Sequence, residues 1–465
     1  MRAKWLVFAS LIVLTPCFCT AQQAKAPDAV WSNRDDTQVA SHGLIAPLPL
    51  VSILEQSPQP SGDQSFAPGM TLTELEEMAV RCNPSLAQAA ARVEAARGQH
   101  VQVGLYPNPV LGYLAGEIND EKRAGQQGGF VGQEIVTAGK LRLNRDVAGQ
   151  EIRQAEFTWQ AQRFRVLTDA RHGFYDAMVA ERAVELTEQL VRIGEQGVKA
   201  AEELMKAKEV ARVDVLQSRI EADSAKILLD KARNRYTAAW HNLATVVGNP
   251  ALNPTGLAGN LLDEIIPLTW EETLNRLLAE SPQLACAQAG VARAQAVLDR
   301  ECAGRIPNLD LQTSVQYDNA TQDTIAGVQV GVPIPFFNRN QGNIRKAQAE
   351  LAAAQQEVKR VRLALEQRLA TIFEQYSNAR QQVEKYNRDI IPNAVESLKL
   401  VSAGYKQGEF NYLALLIAQR TYFQTNLAYL DALRDLRKSA AALEGNLLSD
   451  SLQAAESAEQ CPRQR

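Results

Sequence analysis

Thr71-Leu72-Thr73-Glu74, followed by Asn83-Pro84-Ser85-Leu86, returns later in the chain as Thr269-Trp270-Glu271-Glu272, followed by Ser281-Pro282-Gln283-Leu284. The two prolines are 198 residues apart. Each stretch opens a helical pattern, and in the first copy a break or kink is predicted near Asn83-Pro84. The same local structure is therefore expected twice.

A second pair of markers keeps the same register. Tyr106-Pro107-Asn108 and Ile306-Pro307-Asn308 are 200 residues apart. Solenoid repeats are about 20–50 residues long, so this repeat is a duplicated half-protein instead. The similarity covers about residues 71–217 and 269–417, and it predicts two similar halves about a pseudo-symmetry axis.

The N-terminus has the pattern of a secretory signal peptide. Arg2 and Lys4 precede an apolar run that is too short for a spanning helix of about 20 residues, and small residues follow near Ala21. Whether Cys17 or Cys19 is lipidated is left open. We predict the following segments: a signal peptide at 1–21, a disordered or extended N-terminal segment at 22–69, a first structural repeat at 70–250, an inter-repeat linker at 251–268, a second structural repeat at 269–445 and a flexible C-terminal tail at 446–465.

Composition and motifs exclude several classes of function. The net charge of −4 argues against nucleic-acid binding. The sequence has no P-loop, dinucleotide fingerprint or nucleophile elbow. Its four histidines are not spaced as zinc ligands. We therefore predict no enzymatic activity, no catalytic residues, no cofactor and no metal site.

Each repeat is predicted to contain a helix, a β-hairpin, a very long helix and a further helix. Residues 140–206 contain no proline, and a helix of that length is near 100 Å long. Residues 341–405 match it, with a break predicted at Pro392. The second long helix has an apolar seam with a coiled-coil period: Ile344, Ala347, Leu351, Ala354, Val358, Val361, Leu365, Leu369, Ile372, Tyr376, Ala379, Val383, Tyr386 and Ile390.

The hairpins have the dimensions of membrane strands. Strands are predicted at 110–117, 128–136, 308–317 and 328–332, and about ten residues cross a bilayer at a tilt of roughly 45°. Alternation predicts that Leu309, Leu311 and Val330 face lipid, whereas Gln312 and Gln329 face a lumen. Backbone groups in lipid require a closed barrel, and four strands are too few to close one. The chain is therefore expected to oligomerise.

Together, the duplicated opening, the Pro-Asn turns and the long helices resemble the TolC family of outer-membrane efflux proteins. Two motifs, Gln133-Glu134-Ile135-Val136-Thr137-Ala138-Gly139-Lys140 and Val332-Pro333-Ile334-Pro335-Phe336-Phe337-Asn338-Arg339-Asn340-Gln341-Gly342, resemble its heavy-metal cation-efflux branch. The resemblance implies a mainly α fold with a small membrane β-barrel. A homotrimer would close a twelve-stranded barrel in outer-membrane lipid, above an α-helical tunnel in the periplasm. It also implies two partners, a periplasmic adaptor (membrane fusion protein) and an inner-membrane pump of RND type.

The resemblance also assigns roles to residues. The periplasmic tip turns correspond to Lys208, Glu209, Gly408 and Glu409. Pro107, Asn108, Pro307 and Asn308 form the turns that lead into the strands. Asp214 is the candidate for the pore aperture, and the matching second copy has Ala414 and Ile417, which carry no charge.

Function stays open between three alternatives at this stage. The resemblance favours the channel of a tripartite efflux system that conducts metal cations or small toxic compounds. The same channel type could serve a type I protein-secretion system. A secreted coiled-coil scaffold without a pore is the third reading.

Overall fold

The computed structural model describes residues 69–118, 120, 124–208, 210–261, 267–407 and 409–453. The predicted signal peptide and nearly all of the predicted N-terminal segment lie outside these ranges, as do Glu209 and Gly408. No helix within the described ranges is both long and apolar enough to span a membrane.

The described elements follow the same order twice: two helices, a β-hairpin, a long helix and a further helix. They are β1 (Met70–Thr71), α1 (Leu72–Cys82), α2 (Pro84–Gln102), β2 (Val110–Gly116), β3 (Gln126–Ile135), α3 (Lys140–Lys206), α4 (Arg212–Val247), β4 (Leu257–Ala258), α5 (Trp270–Glu280), α6 (Pro282–Ala303), β5 (Leu309–Asp318), β6 (Asp323–Gly331), α7 (Gln341–Lys385), a π-helical turn (Tyr386–Ile390), α8 (Ile391–Gln407) and α9 (Tyr412–Glu444). The short strands β1 and β4 pair in parallel.

The repeated sequence markers are helix caps. Thr71 and Glu74 form a capping box at the start of α1, and the side chain of Thr269 accepts a hydrogen bond from the Glu272 N–H at the start of α5. Asn83 ends α1 and caps α2, whose first residue is Pro84. Caps of this type satisfy backbone N–H groups that have no partner within the helix. The two similar stretches therefore encode the same helix–break–helix structure.

Both long helices form as the sequence predicts. Helix α3 runs without a break from Lys140 to Lys206. Every predicted seam position in the second long helix is buried or half-buried except Ile390, whose exposed fraction is 37%. Pro392 cannot donate a backbone hydrogen bond, and the turn before it widens into the π-helical turn between α7 and α8.

Each repeat packs a hydrophobic core against the middle of its own long helix. In the first repeat, Trp240 and Leu243 of α4 pack with Phe174 of α3. In the second, Leu365, Leu369 and Tyr376 of α7 pack with residues of α5, α6 and α9. Many other buried positions on α3 are alanine, which lets neighbouring helices approach closely.

One antiparallel sheet combines the two hairpins in the order β2-β3-β5-β6. Strands β3 and β5, which come from different repeats, pair along ten residues from Ile135 opposite Leu309 to Gln126 opposite Asp318. The two repeats therefore meet in the centre of the sheet, and β2 and β6 are its edges.

The prediction of a flexible tail from residue 446 is wrong for residues 446–453. Leu448 and Ser451 are buried, and the Asp169 carboxylate on α3 accepts hydrogen bonds from the N–H groups of Asp450 and Ser451. Gln162 donates to the Ser451 carbonyl. These contacts are long-range in sequence, so the local polar composition gave no sign of them.

Candidate functional site

The sheet has one exposed apolar face. Directly paired residues of antiparallel strands share a face, and the register groups Leu111, Val131, Thr313 and Val328 in one row across the sheet. The exposed fractions of Leu111, Val131 and Val328 are 81%, 47% and 74%. Apolar side chains on the neighbouring rows share this face: Tyr113, Ile135, Leu309, Leu311, Val315, Tyr317 and Val330. Leu309, Leu311 and Val330 therefore lie on one face, and a lipid environment for it stays a prediction.

The opposite face carries all the charge of the four strands. They contain four charged residues, and all are acidic: Glu134, Asp310, Asp318 and Asp323. Glu134 lies directly opposite Asp310 at the end of the sheet near the helices, and Asp318 lies opposite Asp323 at the far end. Gln312 and Gln329 pair on this same face. The face is therefore acidic at both ends, and between the ends it carries apolar side chains such as Val110 and Ile325 beside the glutamines.

The turn that leads into β5 is tied to the start of α3 by a polar network. The Lys140 ammonium donates to the Ile306 carbonyl and to Asn308 Oδ1, at 2.5 and 2.6 Å. The Thr137 hydroxyl donates to the Pro307 carbonyl at 2.5 Å. The Asn308 amide in turn donates to a Glu134 carboxylate oxygen at 2.6 Å. This network joins the first repeat to the second where the sheet meets the helices.

Burial lowers the pKa of the Lys140 ammonium, and the nearby Arg300 guanidinium lowers it further. The Glu134 carboxylate acts in the opposite direction. Lys140 is therefore held by hydrogen bonds to neutral oxygens in a place that disfavours its charge. Removing it would take this donor from the Ile306 carbonyl and leave Asn308 Oδ1 with the Thr137 N–H, at 3.3 Å.

The equivalent turn of the first repeat has a simpler environment. Pro107 and Asn108 precede β2, and the Pro107 carbonyl accepts a hydrogen bond from the Gln133 side chain at 2.9 Å. Tyr106 beside it is 68% exposed. The two leading turns thus share the Pro-Asn pair and their position before a strand, but the turn at Pro307 and Asn308 makes the larger set of contacts.

At the other end of the long helices, Asp214 lies in the first turn of α4. Its carboxylate accepts a hydrogen bond from the Ala211 N–H at 3.0 Å, which satisfies one free donor of the helix start. Lys208 follows the end of α3 with a left-handed backbone, at φ 64°. The structure therefore gives Asp214 a capping role, and a pore role stays a prediction.

At the second tip, a free backbone N–H at the start of α9 is capped by the side chain of the residue before the helix. The Asn411 side chain accepts a hydrogen bond from the Ala414 N–H at 2.9 Å. The Glu409 N–H donates to the Gly404 carbonyl at 2.8 Å and closes the end of α8. Ile417 is exposed. The capping side chain thus comes from the third helical residue in the first copy and from the cap residue in the second. A carboxylate at position 414 is therefore dispensable for the fold.

The described residues contain no group of three His, Cys, Asp or Glu side chains arranged to hold a metal ion. Sequence reasoning missed Thr137 and Lys140 as individual residues, although both lie in the first motif on which the family resemblance rests. It also missed the pairing of Glu134 with Asp310. That pairing depends on the register between two strands from different repeats.

Comparison with known proteins places this geometry in a family. The sequence profile of the family described as "Outer membrane efflux protein" matches residues 75–249 and 273–447, which is most of the chain. The chain is 27% identical over 375 residues to the cobalt-zinc-cadmium resistance protein CzcC of Cupriavidus metallidurans. That alignment covers 81% of this chain and 89% of the relative.

Solved structures share the fold. The outer-membrane channel OprN superposes with a TM-score of 0.69 at 18% identity, over 82% of this chain and 90% of OprN. A structure of CusC, from a study of transmembrane channel formation, gives a TM-score of 0.67 at 18% identity, over 82% of this chain and 92% of CusC.

Proposed function

Because the chain belongs to the outer membrane efflux protein family, we propose that it is the outer-membrane channel of a tripartite system that exports divalent metal cations. Family membership gives the efflux channel, its outer-membrane location and the periplasmic location of the helices. The cargo and the partners are proposals. Within this family the chain is a transport component.

A homotrimer is the assembly that suits the sheet. Strands β2 and β6 are paired on one side only among the described strands, and each has a free row of backbone groups. In lipid such edges must be paired. Three copies would supply twelve strands, and β6 of each protomer would pair with β2 of the next.

The proposal of a cation cargo rests on one observation. The register puts every charged residue of the strands on the face opposite the apolar one, and all four are carboxylates. With the apolar face toward lipid, Glu134 and Asp310 would line the lumen near one end of the barrel and Asp323 near the other. The Asp318 carboxylate is buried and accepts a hydrogen bond from the Ala320 N–H in the turn before β6. Rings of acidic side chains favour the passage of cations and oppose that of anions. The 27% identity to a cobalt-zinc-cadmium resistance protein agrees with this cargo.

The partners follow from the cargo and the family. The helical end would dock onto a periplasmic adaptor, which connects the channel to an inner-membrane pump of RND type. The alternative of a type I protein-secretion conduit has no separate observation in its favour. A scaffold without a pore leaves the exposed apolar face of the sheet without a function.

The test is metal export. A strain that lacks this channel should accumulate cobalt, zinc or cadmium and become sensitive to them, and expression of the chain should restore export measured as loss of cell-associated metal. In planar bilayers the trimer should prefer cations under a salt gradient. The double change Asp310→Asn and Asp323→Asn should weaken that preference, whereas Gln316→Asn on the same face should not. Unchanged metal content in the complemented strain would contradict the proposed cargo.

A further inference from the structure

The loop between β6 and α7 is longer and more apolar than its counterpart in the first repeat. Nine residues, 332–340, separate these elements, whereas four residues, 136–139, separate β3 from α3. The longer loop is strongly exposed: Ile334 and Phe336 are each 70% exposed and Phe337 is 94% exposed. Two adjacent phenyl rings in water are costly, so a surface that covers them is expected.

The loop is held in one position despite its exposure. The Asn340 amide donates to the Glu301 carbonyl at 2.8 Å and to the Glu301 carboxylate at 2.6 Å. The Gln341 side chain donates to the Phe337 carbonyl at 3.3 Å. Pro333 and Pro335 stiffen the other half of the loop. The two rings are therefore presented at a fixed place beside the edge strand β6.

A cleft of matching character lies beside the other edge strand, β2. It has a volume of about 390 Å³ between the turn that leads into β2 and the start of α3. Its apolar lining comes from Leu105, Tyr106, Val136 and Leu141, and Arg142 and Arg145 line the rest of it. Leu105 and Tyr106 are 52% and 68% exposed, so the cleft and the turn beside it are open to a partner.

The contact between the two repeats within one chain shows how a loop after one strand meets the turn before the strand paired with it. Within the chain, β3 pairs with β5 and ends at Ile135 opposite Leu309. That pairing brings the loop after β3 onto the turn before β5, where Thr137 and Lys140 bond to Ile306, Pro307 and Asn308. If β6 pairs with β2 of another copy in the same antiparallel way, the loop after β6 meets the turn before that β2.

We propose that the 332–340 loop of one protomer docks into the cleft of the next, with Phe336 and Phe337 against Leu105 and Tyr106. The occupant of the cleft is a second copy of this chain. The loop after β6 has five more residues than the loop after β3, and these residues would make the additional contacts in the cleft. The docked loops would form a ring of intersubunit contacts where the sheet meets the helices, and this inference rests on the proposed trimer.

Photocrosslinking in the outer membrane tests the proposal. Phe337 is replaced by p-benzoylphenylalanine, cells are irradiated, and the products are mapped by mass spectrometry. The expected product is a covalent dimer joined to residues 104–145 of another chain. Leu111, which is 81% exposed on the apolar face, is the control position and should yield lipid adducts. Lipid adducts alone at position 337, a link within one chain, or no protein adduct would overturn the docking.

A second experiment measures what the contact contributes. Phe337→Ala should shift the trimer–monomer equilibrium in detergent toward the monomer by roughly tenfold or more, because each protomer loses a buried ring. Phe337→Trp should retain the trimer, and Leu363→Ala, an exposed leucine on α7, is the control for a general loss of apolar surface. If the unmodified protein is a trimer and exports metal while Phe337→Ala has no effect, the docking alone fails. If the unmodified protein is not a trimer, the proposed assembly fails as well.

Discussion

Lys140 illustrates how a single residue connects two distant parts of the sequence. Its ammonium bonds to oxygens of residues 306 and 308, in the other repeat. Asn308 passes the connection on to Glu134, which lies directly opposite Asp310. Like charges placed opposite each other destabilise a sheet, and the amide donor offsets part of that repulsion. The junction between sheet and helices thus depends on side chains whose partners are about 170 residues away.

Replacing Lys140 with Met should weaken this junction. The change removes the donor to Ile306 and Asn308 and keeps the length of the side chain, so an unfolding free-energy loss of about 1–3 kcal/mol is expected. Unfolding in detergent, followed by circular dichroism against denaturant concentration, measures it. Lys206→Met is the matched control, because Lys206 forms an exposed pair with Glu203 that contributes little. Equal midpoints for the two variants would contradict the structural role of Lys140.

The sequence predicts those site residues whose interactions are local, and it does not predict those whose partners are far away in the chain. The leading turns at Pro107 and Pro307 were identifiable because a turn is a local structure and the motif occurs twice. The network of Thr137, Lys140 and Asn308 was not, because its partners are brought together only by the pairing of β3 with β5. Asp214 was located by position, yet its bond to Ala211 became visible only in the structure.

At the scale of elements, local signals decided most boundaries. Helix α3 has the predicted bounds because Gly139 and the turn after Lys206 flank a proline-free run. Strand β6 begins at Asp323, five residues before the start expected at residue 328, because pairing with β5 extends it through Asp323, Ala326 and Gly327, which have weak strand propensity. The structure of residues 446–453 depends on buried contacts with α3, which no local pattern encodes.

The two faces of β5 should respond differently to a charge. Leu311→Lys puts an ammonium on the apolar face and should cost roughly 2–4 kcal/mol if the residue lies at the bilayer midplane, less toward either surface. Gln312→Lys puts the same group on the acidic face and should be tolerated. The measurement is the folding free energy in lipid vesicles, with the amount of protein in the outer membrane as a second readout. Equal costs at the two neighbouring positions would mean that the apolar face does not contact lipid.

The whole molecule is a duplication whose copies have diverged at their functional ends. The leading turns, helix breaks and element order are shared, whereas the loops before α3 and α7 differ in length. At the first tip, the carboxylate of Asp214, the third residue of α4, accepts a hydrogen bond from the backbone N–H of the cap residue Ala211. At the second tip, the side chain of the cap residue Asn411 accepts one from the backbone N–H of Ala414, the third residue of α9. In a trimer this divergence would leave three carboxylates at one level of the tunnel entrance, all from the first repeat.

That asymmetry can be tested at the tunnel entrance. Asp214→Asn removes three charges from the trimer and keeps an oxygen that can accept the Ala211 N–H, so trimer stability should change little. Clustered carboxylates raise the local concentration of cations. The variant should therefore shift the reversal potential under a salt gradient toward zero.

Ala414→Asp is the reciprocal variant, because it puts a carboxylate at the matching position of the second repeat, where Asn411 already supplies the cap. It should increase cation preference and partly restore it in the Asp214→Asn background. If both variants leave the reversal potential unchanged while the Asp310→Asn and Asp323→Asn double variant shifts it, selectivity lies in the barrel. Asp214 would then act only as the cap of α4.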